Sequence, residues 1–388
     1  MSESINRIIQ VKTPGTMLFG VGARKKLPQQ AKGLSEGPFL IVTDSGLVKA
    51  GVVKEIEGLM SGAGFKVSLF DEVEPDPEVK VVGKCVRAID STGARAVIGI
   101  GGGSSMDIAK TASAMAGNSG NIMDYAGIGK LPCRGLPFML LPTTAGTGSE
   151  VTPIAVLSDK EQHLKIGIVS QHLYTDVAIV DPALTLSCPP NVTAASGMDT
   201  LVHAIEVYTN RFSVEIVDTL ALEAIRLVGQ HLRRSVRSGR DLAARQGMSL
   251  ACLYAGLGLG PVNTAAVHAL AYPLGGMYNI PHGLANSILL PHVLEFNLPA
   301  CELKFARAAE ALGVKDAVGA RGKAGSLIEM VINISRDIGI PEHLRDIGVP
   351  EDTIPEMAVA AMKVTRLLKN NPREVALEDA KSIYKHAY

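Results

Sequence analysis

Four side chains of the types that hold a divalent metal lie in the second half of this chain: Asp199, His203, His268 and His282. Asp199 and His203 stand four apart in Gly197-Met198-Asp199-Thr200-Leu201-Val202-His203. On a helix, positions i and i+4 share a face, so a carboxylate and an imidazole at this spacing converge. Fourteen positions separate His268 from His282, room for a helix end and a turn. One carboxylate and three imidazoles suit Fe2+ or Zn2+ with a coordination place left open. Such an ion polarises an alcohol or carbonyl oxygen. Each residue alone has a plainer reading. The Asp–His pair fits a simple helix-face contact, and a lone histidine among apolar neighbours fits a hydrogen-bonded core residue. His163, His172, His231, His292, His343 and His386 are read as ordinary.

A second group of residues suits phosphate. The apolar run 96–100 leads straight into Gly101-Gly102-Gly103-Ser104 and then a helical pattern from Ser105. Glycines let the backbone turn sharply and approach a ligand. A helix start offers free N–H groups and a positive dipole end. The same residues also fit an ordinary strand-to-helix turn with Ser104 as its cap. The spacing differs from the usual dinucleotide fingerprint, which follows the first strand and has an acidic residue about 20 positions later. Here Asp44 lies upstream, at the end of the run Phe39-Leu40-Ile41-Val42. It fits a ribose ligand that would repel a 2′-phosphate, and it fits a plain helix cap. A further polar loop, Pro142 to Thr152, follows the run 138–141 and offers hydroxyls and amides for a cofactor.

These residues need a frame. Apolar runs at 39–42, 66–70, 96–100 and 138–141 alternate with helical patterns at 47–60, 78–90 and 105–116, which predicts βαβ units and a parallel sheet covered on both faces. Beyond Asp181-Pro182 and Cys188-Pro189-Pro190 only helical patterns remain: 191–209, 213–236, 240–257, 262–275, 284–297, 301–311, 316–339, 354–367 and 378–387. We expect an α/β domain over 1–185 and an all-helical domain over 186–388.

Composition excludes several functions. Among 388 residues, 38 basic and 38 acidic side chains give a net charge of zero, which offers no field for nucleic acid or an anionic membrane. Five cysteines, Cys85, Cys133, Cys188, Cys252 and Cys301, are scattered and never paired as C-x-x-C. That argues against a disulfide framework or a structural zinc site. Met1 to Gly15 lacks a basic and apolar leader, and no apolar run reaches membrane-spanning length, so a cytoplasmic location is expected. Near-zero charge does little to oppose a homodimer or larger homo-oligomer.

In order along the chain, Val42-Thr43-Asp44, Gly101-Gly102-Gly103-Ser104-x-x-Asp107-x-Ala109-Lys110, Pro142 to Glu150, Asp181-Pro182, Gly197-Met198-Asp199-x-x-x-His203-Ala204-x-Glu206, His268-Ala269-Leu270-Ala271, Pro281-His282-Gly283 and Asn371-Pro372-Arg373 resemble the motifs of the iron-containing alcohol dehydrogenase family. The resemblance spans nearly the whole chain. It implies a dinucleotide-binding α/β domain followed by a helical metal domain, as in dehydroquinate synthase. It implies Asp199, His203, His268 and His282 as ligands of Fe2+, with Zn2+ an alternative. It implies an NAD site built from Asp44, Asp76, Gly102, Gly103, Ser104, Thr143, Thr144, Thr147, Thr152 and Lys165. The expected reaction is hydride transfer between NAD(H) and a small primary alcohol or aldehyde.

One position departs from the family. Many members carry a second histidine four residues after the third ligand, where this chain has Tyr272. A histidine proton relay does not carry over. A phenol titrating near ~10 is a poor base at neutral pH, so we expect Tyr272 to shape the pocket while water handles the proton. Competing readings are a glycerol or diol dehydrogenase, a dehydroquinate-synthase-type lyase, and a non-catalytic NAD-binding protein. The ligand segments are flanked by Ala, Leu, Val and Gly, which favours a small, weakly charged substrate over the phosphorylated acid such a lyase must grip.

Overall fold

The computed structural model describes residues 10–159, 164–315 and 319–388. In the first half, strands β1 (Thr16–Phe19), β2 (Phe39–Val42), β3 (Val67–Phe70), β4 (Ala96–Gly101), β5 (Gly127–Ile128), β6 (Phe138–Pro142), β7 (Ile154–Asp159), β8 (Leu164–Val169) and β9 (Val177–Val180) alternate with helices α1 (Leu27–Leu34), α2 (Ser45–Lys49), α3 (Val52–Gly62), α4 (Val79–Thr92) and α5 (Gly103–Met115). Six strands form one parallel sheet in the order β1-β9-β6-β4-β2-β3. β2, β4, β6 and β9 are buried at every position, as their unbroken apolar runs require.

The chain leaves β2 toward β3 on one side and β4 toward β6 on the other. The crevice at the carboxyl ends of β2 and β4 is therefore a topological switch point, where open parallel sheets bind ligands. Asp44, Gly102 and Thr144 follow the ends of three adjacent strands, β2, β4 and β6.

After β9 the described chain is helical: α6 (Pro190–Thr209), α7 (Glu215–Arg237), α8 (Leu242–Val262), α9 (Ala266–Tyr278), α10 (His282–Leu312), α11 (Gly319–Asp337), α12 (Ile354–Met362), α13 (Thr365–Leu368) and α14 (Leu377–Ala387), with short 3-10 turns between some of them. α6 is buried from Gly197 to Thr209, so Asp199 and His203 lie inside the helical half of the chain. All five cysteines are free. Among the described residues no single helix is long and apolar enough to cross a membrane; α8 and α9 together reach that composition but meet at 100°.

The structure corrects several sequence expectations. The pattern 47–60 is two helices, broken at Gly51 with φ 80°. The patterns 284–297 and 301–311 are one helix, α10, which runs through Pro291 and Pro299. Each internal proline costs about 3 kcal/mol, and a buried stripe from Ile288 to Leu312 outweighs it. The pattern 354–367 breaks after Met362 into α12 and α13. Strands β1, β5 and β9 went unread, as did the antiparallel hairpin of β7 and β8, in which Ile154 pairs with Val169 and Ser158 with Lys165. The expected start of the helix at 316 lies outside the described residues.

Candidate active site

Three local features bring the metal-type ligands together. α6 presents Asp199 and His203 one turn apart. α9 presents His268 in its first turn. Asn279 then takes the left-handed conformation that ends a helix, φ 55°, and Pro281 precedes α10, which opens on His282. The turn returns the chain so that the rings of His268 and His282 lie 5.1 Å apart.

Ligand atoms of Asp199, His268 and His282 lie within 4.8 Å of one another. His203 joins them: its Nε2 stands 2.9 Å from Nε2 of His268, with the two rings stacked. Hydrogen bonds behind the rings decide which nitrogens are free. His203 Nδ1 donates to the Gly146 carbonyl at 3.2 Å, so in the neutral ring Nε2 keeps a lone pair. His268 Nδ1 donates to Glu206 at 2.6 Å, so its Nε2 also keeps one. Burial, with His203 and His282 close by, holds the His268 imidazole well below its ordinary pKa and therefore neutral. The two Nε2 atoms face each other at 2.9 Å, a spacing that needs an electropositive group among them, a proton or a cation. Asn286 already points one in: its amide nitrogen is 2.7 Å from Asp199 Oδ1 and 3.2 Å from Nε2 of both His268 and His282. The donor set fits a divalent cation. Burial pushes the Asp199 carboxyl up, but the three imidazoles and Asn286 outweigh it and hold it below the usual range. It is an anion at neutral pH.

Glu206 is three positions after His203 and faces α9. Its Oε1 accepts the Val267 N–H and its Oε2 the Ala265 N–H and His268 Nδ1. Burial raises its pKa to about 7 against these donors. Replacing it by Gln would offer an N–H to a donor. We expect Glu206→Gln to weaken Fe2+ retention by about 10- to 100-fold, read by equilibrium dialysis, with the fold intact. Retention equal to the parent would assign Glu206 to packing alone.

A cavity of about 180 Å³ opens on this cluster. It is lined by His203, His268, His282 and Tyr272 from the helical side, and by Asp76, Gly103, Ser104, Thr147, Thr152 and Lys165 from the α/β side. Asp44, Gly102, Thr143 and Thr144 do not line it; they follow the neighbouring strand ends. Asp44 caps α2 by accepting the Leu47 N–H at 3.1 Å. Thr143 donates its N–H to the Gly101 carbonyl at 2.9 Å. Asp76, at φ 52°, pairs with Lys165 at 2.6 Å, and Lys165 also donates to Ser158. A Cβ on Gly103 would meet Thr147 Cγ2 at 2.7 Å, so that glycine lets the two polar loops close on each other.

Asp107 and Lys110 of the glycine-rich motif brace these loops, Asp107 also lining the cavity. Asp107 accepts from the Ser149 hydroxyl at 2.6 Å and the Val156 N–H at 2.8 Å. Lys110 donates to Ser149, Thr152 and the Ile154 carbonyl at 2.7, 3.3 and 2.8 Å. The loop is in turn tied to the metal side, since Thr200 donates to the Ala145 carbonyl and His203 to that of Gly146.

The sequence reading missed Asn286, Glu206 as a partner, and Arg366. Asn286 lies four after His282 on one helix, a spacing that was legible. Arg366 lines the cavity from α13, and no local pattern marks it.

Residues 14–182 match the profile described as "Iron-containing alcohol dehydrogenase", and residues 193–388 the one described as "Fe-containing alcohol dehydrogenase family, C-terminal". The 1,3-propanediol dehydrogenase of Citrobacter freundii is 38% identical over 98% of this chain and 99% of its own length. A solved 1,3-propanediol oxidoreductase superposes with a TM-score of 0.95 at 38% identity, covering 98% of this chain and 100% of that one. Sulfoacetaldehyde reductase from Bifidobacterium kashiwanohense, solved with NAD+, superposes with a TM-score of 0.89 at 32% identity, covering 98% and 99%.

Proposed function

The chain belongs to the iron-containing alcohol dehydrogenase family, and from that premise we propose that Asp199, His203, His268 and His282 hold its divalent metal. The protein is an NAD-dependent, metal-dependent oxidoreductase acting between a small primary alcohol and its aldehyde. The observation that carries the ligand assignment is the convergence of the His203 and His268 Nε2 atoms, 2.9 Å apart, with His282 beside the Asp199 carboxylate. When bound, the ion polarises the substrate oxygen and the nicotinamide gives or takes the hydride.

The remaining work falls to side chains. Glu206 and the Gly146 carbonyl fix the tautomers of His268 and His203. Gly102, Gly103 and Ser104 at the start of α5 receive the pyrophosphate, and Asp44 receives the adenosine ribose, which favours NAD over NADP. Asp76, Thr143, Thr144, Thr147, Thr152 and Lys165 complete the cofactor's bed along the crevice. The cofactor domain spans 1–185 and the metal domain 186–388. The enzyme works in the cytoplasm as a homodimer or larger homo-oligomer. Iron is the metal favoured here, and zinc accepts the same ligands.

Tyr272 is buried, and burial raises its pKa although Arg366 opposes the shift. A phenol held up in this way does not take a proton at neutral pH. Tyr272→Phe is expected to cost less than about tenfold in kcat and to leave the shape of the pH–rate profile unchanged. Loss of one limb of that profile would make the hydroxyl the proton donor.

Anaerobic loading with Fe2+, followed by NADH oxidation against a panel of short aldehydes, tests the whole reading. One metal per chain with aldehyde-dependent NADH loss is the expected result. Metal bound with no net NADH turnover on any aldehyde or alcohol would return the lyase reading.

A further inference from the structure

Most charged groups lining the cavity are paired with protein groups. Asp76 pairs with Lys165 at 2.6 Å, and Asp107 is held by Ser149 and the Val156 N–H. Arg366 differs: its Nη1 is buried and has no hydrogen-bond partner among the described residues. Guanidinium is cationic at any pH a folded protein meets, and a buried donor left unpaired is costly.

The group is also carefully seated. Gly167 of β8 lies beneath it; a Cβ there would stand 2.7 Å from Nη2 and 3.3 Å from Cζ of Arg366. Any larger residue there would have to push the guanidinium aside. The break between α12 and α13 starts the turn that carries Arg366 inward. Tyr272 lies beside the guanidinium, and the same cavity wall includes His203, His268 and His282. Arg366 lines the same cavity of about 180 Å³ as those imidazoles, so a short substrate held there shares its walls with the guanidinium.

We infer that Arg366 is a specificity-determining residue that binds the anionic end, a carboxylate or sulfonate, of a short aldehyde or of the matching hydroxy acid. A guanidinium fork matches either oxyanion with two parallel hydrogen bonds. The inference rests on the oxidoreductase reading of the site and names its substrate class. The chemistry balances within that reading: the carbonyl carbon takes hydride from NADH, its oxygen takes one proton, and the anionic end is unchanged. It also revises the weakly charged substrate expected from the apolar neighbours of the ligands.

The test uses the Fe2+-loaded enzyme with NADH and three probes: 4-oxobutanoate, sulfoacetaldehyde and neutral pentanal. At least one anionic probe is expected to exceed pentanal about 100-fold in kcat/KM. Arg366→Met is expected to bring that ratio close to one, Arg366→Lys to restore part of it, and KM for NADH to move far less than the ratio. Should Arg366→Met fail to fold, propionate and ethanesulfonate are expected to inhibit the parent competitively against pentanal. Turnover of pentanal with no preference for either anion overturns the inference and leaves the oxidoreductase reading standing. So does an equal loss on all three probes, a rise in KM for NADH with the ratio intact, or no inhibition by either small anion. Turnover of no aldehyde overturns both readings.

Discussion

Alanine at His268 is expected to abolish metal retention and turnover together, with kcat/KM falling on the order of 1,000-fold or more. His268 sits at the middle of the cluster. Its Nε2 faces His203 Nε2 at 2.9 Å and Asp199 Oδ1 at 3.8 Å, and its Nδ1 is anchored by Glu206. Removing the ring deletes one of the four proposed ligands and frees the acceptor that fixed it. The fold is expected to survive, because Glu206 still accepts the Ala265 and Val267 N–H groups that hold the start of α9. Far-ultraviolet circular dichroism should therefore match the parent while metal analysis after dialysis reads near zero.

Asp199→Asn provides the complement. It keeps the shape of the side chain and removes the anion that offsets the cation's charge. Its loss should resemble that of His268→Ala, and combining the two should cost little more than either alone, since both disable one unit. A His268→Ala variant that keeps one equivalent of iron and parental turnover would remove all four residues from the metal assignment.

The distribution of legible and illegible features follows the range of the interactions. Asp199 and His203 were readable because i, i+4 spacing acts within one turn of helix. Strands β2, β4 and β6 were readable because burial on both faces leaves unbroken apolar runs. His268 and His282 carried no such local signature; only the order of motifs placed them, and the turn at Asn279 that joins them is a matter of one residue's φ. The β7–β8 hairpin was missed because its faces are partly exposed and its pattern is mixed. Pro291 and Pro299 read as helix breaks, and the buried length of α10 overrode them. Arg366 was invisible to any local rule. Its role comes from Gly167 and Tyr272, which tertiary packing alone brings to it.

Lys110 of the glycine-rich motif is the brace under both polar loops, and its removal has the largest stability effect expected here. The ammonium is fully buried, and burial lowers its pKa to about 8 although Asp107 and Glu150 raise it. It donates to Ser149, Thr152 and the Ile154 carbonyl, the chain that runs from the Pro142 to Thr152 loop into β7. Lys110→Met spares the cost of burying that charge. It also removes the ammonium donor from three acceptors and strips the nearest cation from Asp107 and Glu150. Deleting one partner of a buried ionic group typically costs about 3–5 kcal/mol, more than the desolvation recovered. The pH dependence carries the signature. Burial raises the pKa of both carboxyls, Glu150 to about 7, and Lys110 holds each of them down. Without Lys110 they keep protons to higher pH in the folded state than in the unfolded one. Stability then falls as pH rises, since the native chain binds more protons over that range. The deficit of Lys110→Met in urea unfolding should therefore be smaller at pH 6 than at pH 8, and KM for NAD should rise as Thr152 and Ser149 lose their anchor. A deficit under about 1 kcal/mol and flat with pH would mean that the carboxyls are neutral in the parent and that Lys110 only fills space.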